Sequence, residues 1–329
     1  MTRILNAEPE GYSDEARAEL GRVGEVVDGP LSRAELIAAM PDVDVLIVRL
    51  GHNVDREVLD AAPRLRAVVT ATTGLDHVDV EHAAARGVEV LTLRGETELL
   101  RTVHATAEHT WALLLALVRR IPAAFASVRA GRWDRDRFRG RELAGKRLCI
   151  VGLGRVGRQV AGYGLAFGMD VAGHDPHAVD WPDGVARADG LPAALSRADV
   201  LTVHVPLRAG TAGLIGAPEL AMLPPGAVVV NTSRGEVLDE AALVAALASG
   251  RVAGAAVDVI AGERDEERRR RSPLLEYAGE HENVIVTPHL GGATAESMAR
   301  TELVMACKLA AFLEGSRARR VDPVPGRGI

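Results

Sequence analysis

The stretch 148–176 constrains this chain more than any other. Four consecutive apolar residues, Leu148, Cys149, Ile150 and Val151, suit a strand buried on both faces, and Gly152, Gly154 and Gly157 follow at once in G-x-G-x-x-G spacing. A strand turning this sharply into a helix uses Gly152 for the tight turn, Gly154 to let a pyrophosphate approach the backbone, and Gly157 to let the helix lie close on the sheet. The helix N-terminus then faces the phosphates. A second apolar run, starting at Val171, ends in Asp175, eighteen residues beyond Gly157. An acid at that distance can accept hydrogen bonds from the ribose hydroxyls of a dinucleotide. The glycine pattern alone is weak in a chain with 34 glycines among 329 residues; strand, helix and acid together make it specific. An ordinary strand-helix turn would leave Asp175 unexplained.

Around this unit the chain alternates. Before it, apolar runs at 3–5, 25–27, 43–50, 67–73 and 88–93 are separated by helical patterns at 13–23, 32–40, 55–62 and 79–86, several opening on Ser or Asp as helix N-caps do. After it, strand-like runs at 200–205, 227–230, 253–257 and 284–286 are separated by helical patterns at 191–197, 216–222 and 239–248. Such alternation builds parallel sheets covered by helices on both faces, so the expected fold class is α/β, with two doubly wound parallel-sheet domains. The segment 105–128, apolar nearly all round and free of Gly and Pro before Pro122, reads as one long buried helix joining two domains or two subunits. His109 within it reads as a satisfied structural histidine. The charged and aromatic stretch 131–145, with Trp133 and Phe138, reads as an arm suited to a subunit contact. A last helix is expected over 293–312, and the Arg/Gly/Pro-rich end after Gly315 is expected to fray.

Composition narrows the function. With 47% hydrophobic residues the chain can fill two cores, and a formal net charge of −6 gives no general basic field for nucleic acid or an anionic membrane. Neither is expected as a partner. The two cysteines, Cys149 and Cys307, have no metal-ligand spacing and fit a reducing compartment, so no metal is expected. No apolar run reaches the length of a membrane span, and the expected location is the cytoplasm.

Ligands of an open parallel sheet bind beyond the carboxyl ends of its strands. Three residues stand there: Arg234 after the 227–230 run, Glu263 after 253–257, and His289 after 284–286. An arginine, a carboxylate and a histidine brought to one crevice beside a nicotinamide can interconvert a carbonyl and an alcohol. Singly, each has a structural alternative: a helix cap, a solvated charge run, a packed core histidine.

These motifs carry a family resemblance over nearly the whole chain. Thr72-Thr-Gly-Leu-Asp, Thr106-Ala-Glu-His-Thr, Gly152-Leu-Gly-Arg-Val-Gly, His204-Val-Pro-Leu, Val230-Asn-Thr-Ser-Arg-Gly-Glu, Val257-Asp-Val and Thr287-Pro-His-Leu-Gly-Gly-Ala-Thr make the sequence resemble the D-isomer-specific 2-hydroxyacid dehydrogenases. The resemblance implies a Rossmann cofactor domain inserted into a flavodoxin-like substrate domain: 1–103 the first part of the substrate domain, 104–292 the NAD-binding domain, and 293–329 a helix returning to the substrate domain. It implies Arg234, Glu263 and His289 as the catalytic set, and a homodimer formed through the cofactor domain. The substrate carboxylate would be held by Arg234 with the backbone amides of Gly74 and Leu75, and His289 would also touch substrate. Around NAD it implies Arg155 and Val156 at the pyrophosphate, Asp175 at the ribose, and Thr232, Ser233 and Asp258 at the nicotinamide side. Thr106, Val205, Pro206, Thr211, His289 and Gly291 complete that cofactor set.

Two segments depart from the family pattern. Glu263 is followed by Arg264 and a charged run to Arg271, where the family usually has Glu-Pro, and the link 94–104 is longer than usual. Arg49, at the end of an apolar run, and Arg94, Arg101 and His104 in that link bring cations to the substrate side. They point to a doubly anionic substrate: a phosphorylated, phosphonate or dicarboxylic 2-keto acid. The implied chemistry is hydride transfer from NADH, with His289 as the proton donor, Glu263 orienting it, and Arg234 gripping the carboxylate. Asp175 would repel a 2′-phosphate, which favours NAD over NADP. The competing class is a non-enzymatic NAD(H)-sensing protein of the corepressor type.

Overall fold

The structure, a computed structural model, describes residues 1–29 and 31–318. It divides into two compact units, Met1–Thr102 together with the chain from Thr294, and Val103–Ala293.

The first unit begins β1 (Arg3–Asn6), α1 (Asp14–Val23), β2 (Glu25–Asp28), α2 (Arg33–Ala39), β3 (Val45–Val48), α3 (Arg56–Asp60), β4 (Ala67–Thr70), α4 (Val80–Ala85), β5 (Glu89–Leu91) and α5 (Thr97–Arg101). Its strands are all parallel in the order β2-β1-β3-β4-β5, the flavodoxin-like arrangement. The inner strands β3 and β4 read Val-Leu-Ile-Val and Ala-Val-Val-Thr with every residue buried, as strands covered on both faces require. Four helices start where the sequence places a cap: the side chains of Ser13, Ser32, Asp55 and Asp79 accept the amides of Ala16, Glu35, Val58 and His82. The run 43–50 leaves the sheet earlier than expected. Glu8 accounts for this, because its carboxylate accepts the amides of Arg49, Leu50 and Gly51 and draws that backbone off the ladder.

The second unit continues with α6 (Ala105–Val118), α7 (Ile121–Arg129), β6 (Arg147–Val151), α8 (Arg155–Ala166), β7 (Asp170–His174), β8 (Ala186–Arg187), α9 (Leu191–Leu195), β9 (Val200–Val203), α10 (Ala217–Met222), β10 (Ala227–Asn231), α11 (Glu240–Ala248), β11 (Val252–Val257), α12 (Glu266–Arg270), α13 (Pro273–Glu280) and β12 (Val284–Val286). Its parallel sheet runs β12-β11-β10-β9-β6-β7-β8, and the order reverses between β6 and β9, where doubly wound sheets open their crevice. Alternate residues feed separate cores: Cys149 and Val151 join one face, Leu148 and Ile150 the other. Burial pushes the Cys149 thiol up to about 12, so it packs as a neutral group.

The single long helix expected over 105–128 is two. The chain breaks at Arg120, whose φ is +52°, and α7 turns away by 63°. Pro122 is the cause: it lacks an N–H, and its ring would clash with the carbonyl of Val118. That carbonyl accepts the Arg141 amide instead, at 2.9 Å. Nor is the second half buried, since Ile121, Phe125 and Val128 of α7 are 52%, 62% and 50% exposed.

The chain returns to the first unit in α14 (Ala295–Ala318), where Met305, Ala306, Leu309 and Leu313 share a core with Ala16, Leu20 and Val23 of α1. Glu302 on α14 is buried, accepts the Ser13 amide at 2.8 Å, and has its carboxyl pushed up by that burial. The expected fraying falls mostly beyond residue 318, outside the described residues. Among the described residues, no single helix is long and apolar enough to cross a membrane.

Candidate active site

In the second unit, the loops beyond β6, β7, β9, β10, β11 and β12 leave one edge of one parallel sheet. The β6 loop is shaped by close backbone approaches. Gly152 has φ +94°, and a Cβ there would lie 2.8 Å from the backbone of His204. A Cβ on Gly157 would lie 2.0 Å from the Gly152 carbonyl oxygen, so α8 can rest on the loop only without one. Gly154 is different: among the described residues a Cβ there meets nothing within 4 Å. As N-cap of α8 it offers no side-chain cap, which leaves the first amides of the helix directed at open space fit for an anion. Asp175 is docked beside them, one carboxylate oxygen accepting the Leu153 amide and the other the His177 amide, both at 2.8 Å.

Arg155 divides its donors between side chain and backbone. Its guanidinium donates to the Val103 carbonyl at 2.9 Å, and burial lowers its pKa; its backbone amide, in the first turn of α8, is what remains to line a pyrophosphate. Val156 packs on the core beneath α8. Beyond β9, Val205 packs on the opposite core, and Thr211 donates to the Pro206 carbonyl and accepts the Arg208 amide, closing that loop. Among the described residues the buried His204 Nε2 has no hydrogen-bond partner, and burial holds the ring's pKa down at about 3.

Beyond β10, Asn231 organises the turn. Its Oδ1 accepts the amide and hydroxyl of Ser233 at 3.0 and 2.7 Å, and its Nδ2 donates to the Arg234 carbonyl at 2.9 Å. Thr232 is buried against Thr110, which donates in turn to the Thr106 carbonyl. Arg234 is half-buried, with Nη1 donating to the Ser233 carbonyl at 2.7 Å. The next residue had no role in the sequence reading, yet a Cβ on Gly235 would lie 2.0 Å from the Ile260 carbonyl carbon. The Arg234 loop is pressed against the start of the Glu263 loop at that glycine.

Asp258, 1% exposed, directly follows β11 and builds the turn after β12. Its Oδ1 accepts the Thr287 hydroxyl, the Leu290 amide and His109 Nε2 at 2.6, 2.7 and 3.1 Å; its Oδ2 accepts the Gly291 amide at 2.7 Å. Burial opposes the charge, but the hydrogen bonds from His109, Thr287 and Leu290 outweigh it and lower the pKa. The carboxylate expected at the nicotinamide side is thus taken up within the protein, and His109 is a structural partner to it. A Cβ on Gly291 would crowd both Asp258 Oδ2 and Thr106, at 3.0 and 3.2 Å.

That turn carries His289 at φ +56°, a left-handed conformation costing a non-glycine residue on the order of 1 kcal/mol or more. Its amide donates to the Asp258 carbonyl at 2.8 Å, and its Nδ1 lies 2.5 Å from Glu263 Oε1. Both side chains are about one-fifth exposed, at 19% and 20%. Arg264 brings a guanidinium nitrogen to 4.0 Å from the same oxygen.

In the first unit, Arg49 is held by its own surroundings. Its Nη2 donates to the carbonyls of Glu8 and Glu10, both at 2.7 Å, and its Nε lies 3.6 Å from Glu302. It braces the segment after β1 against α14, work its sequence position did not signal. Gly74 and Leu75 are half-buried on the loop after β4, and among the described residues their amides donate no hydrogen bond.

The family model described as D-isomer specific 2-hydroxyacid dehydrogenase, NAD binding domain, matches residues 111–291. The D-3-phosphoglycerate dehydrogenase of Mycobacterium tuberculosis is 45% identical over 301 residues, which cover 89% of this chain and 54% of that protein. The chain therefore spans about half the length of such curated relatives. A crystal structure of a Thermus thermophilus protein is 34% identical with a TM-score of 0.83, covering 95% of this chain and 97% of that one. The D-lactate dehydrogenase of Aquifex aeolicus, complexed with NAD and lactic acid, is 26% identical with a TM-score of 0.81, covering 98% and 100%.

The open space before Gly154 gives a clean expectation. Gly154→Ala should leave the melting temperature within about 2 °C, since the methyl meets nothing and the backbone φ is ordinary, yet weaken NADH binding about tenfold or more by filling the anion's approach. Calorimetric titration beside a thermal melt checks both halves. His204 carries an acid sensitivity. Its folded pKa lies below the usual 6.5, so its stabilising contribution is full above about 6.5 and is lost as pH falls toward 3. In His204→Asn, urea midpoints between those values should fall less with pH than in the parent.

Proposed function

The chain belongs to the D-isomer specific 2-hydroxyacid dehydrogenase family, and from that premise we propose that it interconverts a 2-keto acid and a D-2-hydroxy acid with NAD. The observation carrying this reading is the His289–Glu263 pair, which stands with Arg234 on loops following the adjacent parallel strands β12, β11 and β10. Bound NADH would supply the hydride for reduction. The open amides at Gly154 and the docked carboxylate of Asp175 would hold its pyrophosphate and ribose.

Because Glu263 occupies Nδ1, that nitrogen carries a hydrogen and Nε2 is the one left to exchange a proton with the substrate oxygen. Protonated His289 gives that proton as the alkoxide forms and takes it back in the reverse direction. Glu263 holds the ring's tautomer and orientation. The Arg234 guanidinium, a planar donor fork, grips the substrate carboxylate and steadies charge growing on the neighbouring oxygen. The free Gly74 and Leu75 amides suit an anion as well. The substrate is taken to be doubly anionic, a phosphorylated, phosphonate or dicarboxylic 2-keto acid; the name of the Mycobacterium relative supports this class. The protein is further proposed to act as a homodimer through α7 and the arm after it, supported by the apolar exposure of Ile121, Phe125 and Val128 and by Trp133 at 89%.

NADH oxidation over a panel of 2-keto acids separates the enzyme from a non-enzymatic NAD(H) sensor, which would bind NADH and turn over none. Pyruvate or glyoxylate reduced as fast as every doubly anionic compound would remove the substrate assignment. His289→Ala should lower kcat about 100-fold or more while NADH still binds. In Glu263→Gln, the alkaline limb of the kcat profile should move to lower pH, with KM for the keto acid changing less than kcat; an unmoved limb would reject the pairing. For the assembly, Phe125→Asp should convert a sedimenting dimer to monomer, and a parent that sediments as monomer at micromolar concentration would exclude the dimer.

A further inference from the structure

Glu263 sits on a long excursion between β11 and α13, and the residue after it is Arg264 rather than a proline that would lock the backbone. Something else must hold the carboxylate against His289. Both ends of the excursion converge on one side chain, Glu240, in the first turn of α11. Its Oε1 accepts the Ala261 amide at 2.6 Å, two residues before Glu263, and its Oε2 accepts the Ser272 hydroxyl at 2.7 Å. Ser272 is buried and caps α13 by accepting the Leu275 amide, so the far end is itself anchored. A carboxylate in the first turn of a helix is favoured by the helix dipole, and Asp239 caps the same helix beside it.

The rest of the loop hangs from this closure. Glu236 Oε1 accepts the Gly262 amide at 3.1 Å, Asp265 caps α12 through the Glu267 and Arg268 amides, and Arg269 of α12 reaches back to the Glu263 carbonyl at 2.8 Å. Ala261 and Gly262, the two residues leading into Glu263, therefore have their amides held by carboxylates from the Arg234 side of the site. We propose that Glu240 is a positioning residue for the reaction: by clasping both ends of the 261–272 loop it holds Glu263 on Nδ1 of His289. Hydrogen bonds to a charged acceptor are among the stronger ones, and a displacement of about 1 Å at a catalytic group can cost a hundredfold in rate.

This inference rests on Glu263 being the partner of His289, and the test separates the two. Glu240→Ala should lower kcat about 10- to 100-fold, shift the alkaline limb of the kcat profile to lower pH as Glu263→Gln does, and leave Kd for NADH within about twofold. Glu240→Gln should recover most of the rate, because its amide oxygen can still accept from Ala261 and its NH2 can donate to Ser272. Adding Glu240→Ala to Glu263→Gln should cost little more than Glu263→Gln alone, since both act through one contact. If Glu263→Gln moves the pH profile and Glu240→Ala does not, the clasp is only structural and the inference fails. If Glu263→Gln itself leaves the profile in place, the pairing fails first. Full additivity in the double variant would also overturn the clasp, whatever the single variants do.

Discussion

The buried carboxylate of Asp258 is the contact on which the candidate site depends. A carboxylate out of water needs its lone pairs filled, and here they are filled by groups from three places: His109 on α6, Thr287 after β12, and the Leu290 and Gly291 amides of the following turn. The charge thus ties one helix and the end of β12 to the end of β11. Its own carbonyl takes the His289 amide, so the histidine's left-handed backbone is over-determined by one neighbour. Remove the charge and several donors lose their acceptor together, which is why such a group is costly to break.

Around this anchor the site is shaped largely by absences of side chain. At Gly157 against Gly152 and at Gly235 against Ile260, backbone packs on backbone so closely that an added Cβ would lie 2.0 Å from the neighbouring atom. The first seats α8 on the crevice where strand order reverses; the second seats the Arg234 loop on the Glu263 loop. Gly154, with nothing before it, is the opposite case. Close contact and open space are thus separated by three residues in one motif, and only the open position faces away from the protein.

Much of this was legible in the sequence because it is written locally. Short, β-branched apolar runs such as Val-Leu-Ile-Val of β3, set between helical patterns, read as strands buried on both faces, and the residues just past β10, β11 and β12 fall on one sheet edge whatever the side chains do. What was not legible depended on partners distant in sequence. The helix expected through 105–128 breaks because the Pro122 ring meets the Val118 turn, a signal visible in the sequence but outweighed by the apolar run. Arg49 and Arg155 carry the charges expected of ligand-binding residues, yet carbonyls of Glu8, Glu10 and Val103 take their donors. No local pattern reveals that four donors from α6, Thr287 and the following turn converge on Asp258. The Ser272-Pro273 start of α13 was a readable cap missed inside a charged run.

The charged run itself shows what replaces a backbone constraint. A proline after a catalytic carboxylate restricts the chain through its own ring and stabilises by reducing the freedom of the unfolded chain, by about 0.4–1 kcal/mol. Arg264 offers no such restriction, and the loop is held by side chains: Glu240 at both ends, Glu236 at Gly262, Arg269 at the Glu263 carbonyl. Hydrogen bonds of this kind can match the energy but differ in character. They are local to the folded state, they are weakened by exposure for the Arg269 contact and kept by partial burial for Glu240, and they can open singly while the fold persists. The carboxylate beside His289 is therefore fixed by tertiary bonds that can loosen without unfolding, and its position becomes a property of α11 as much as of its own loop.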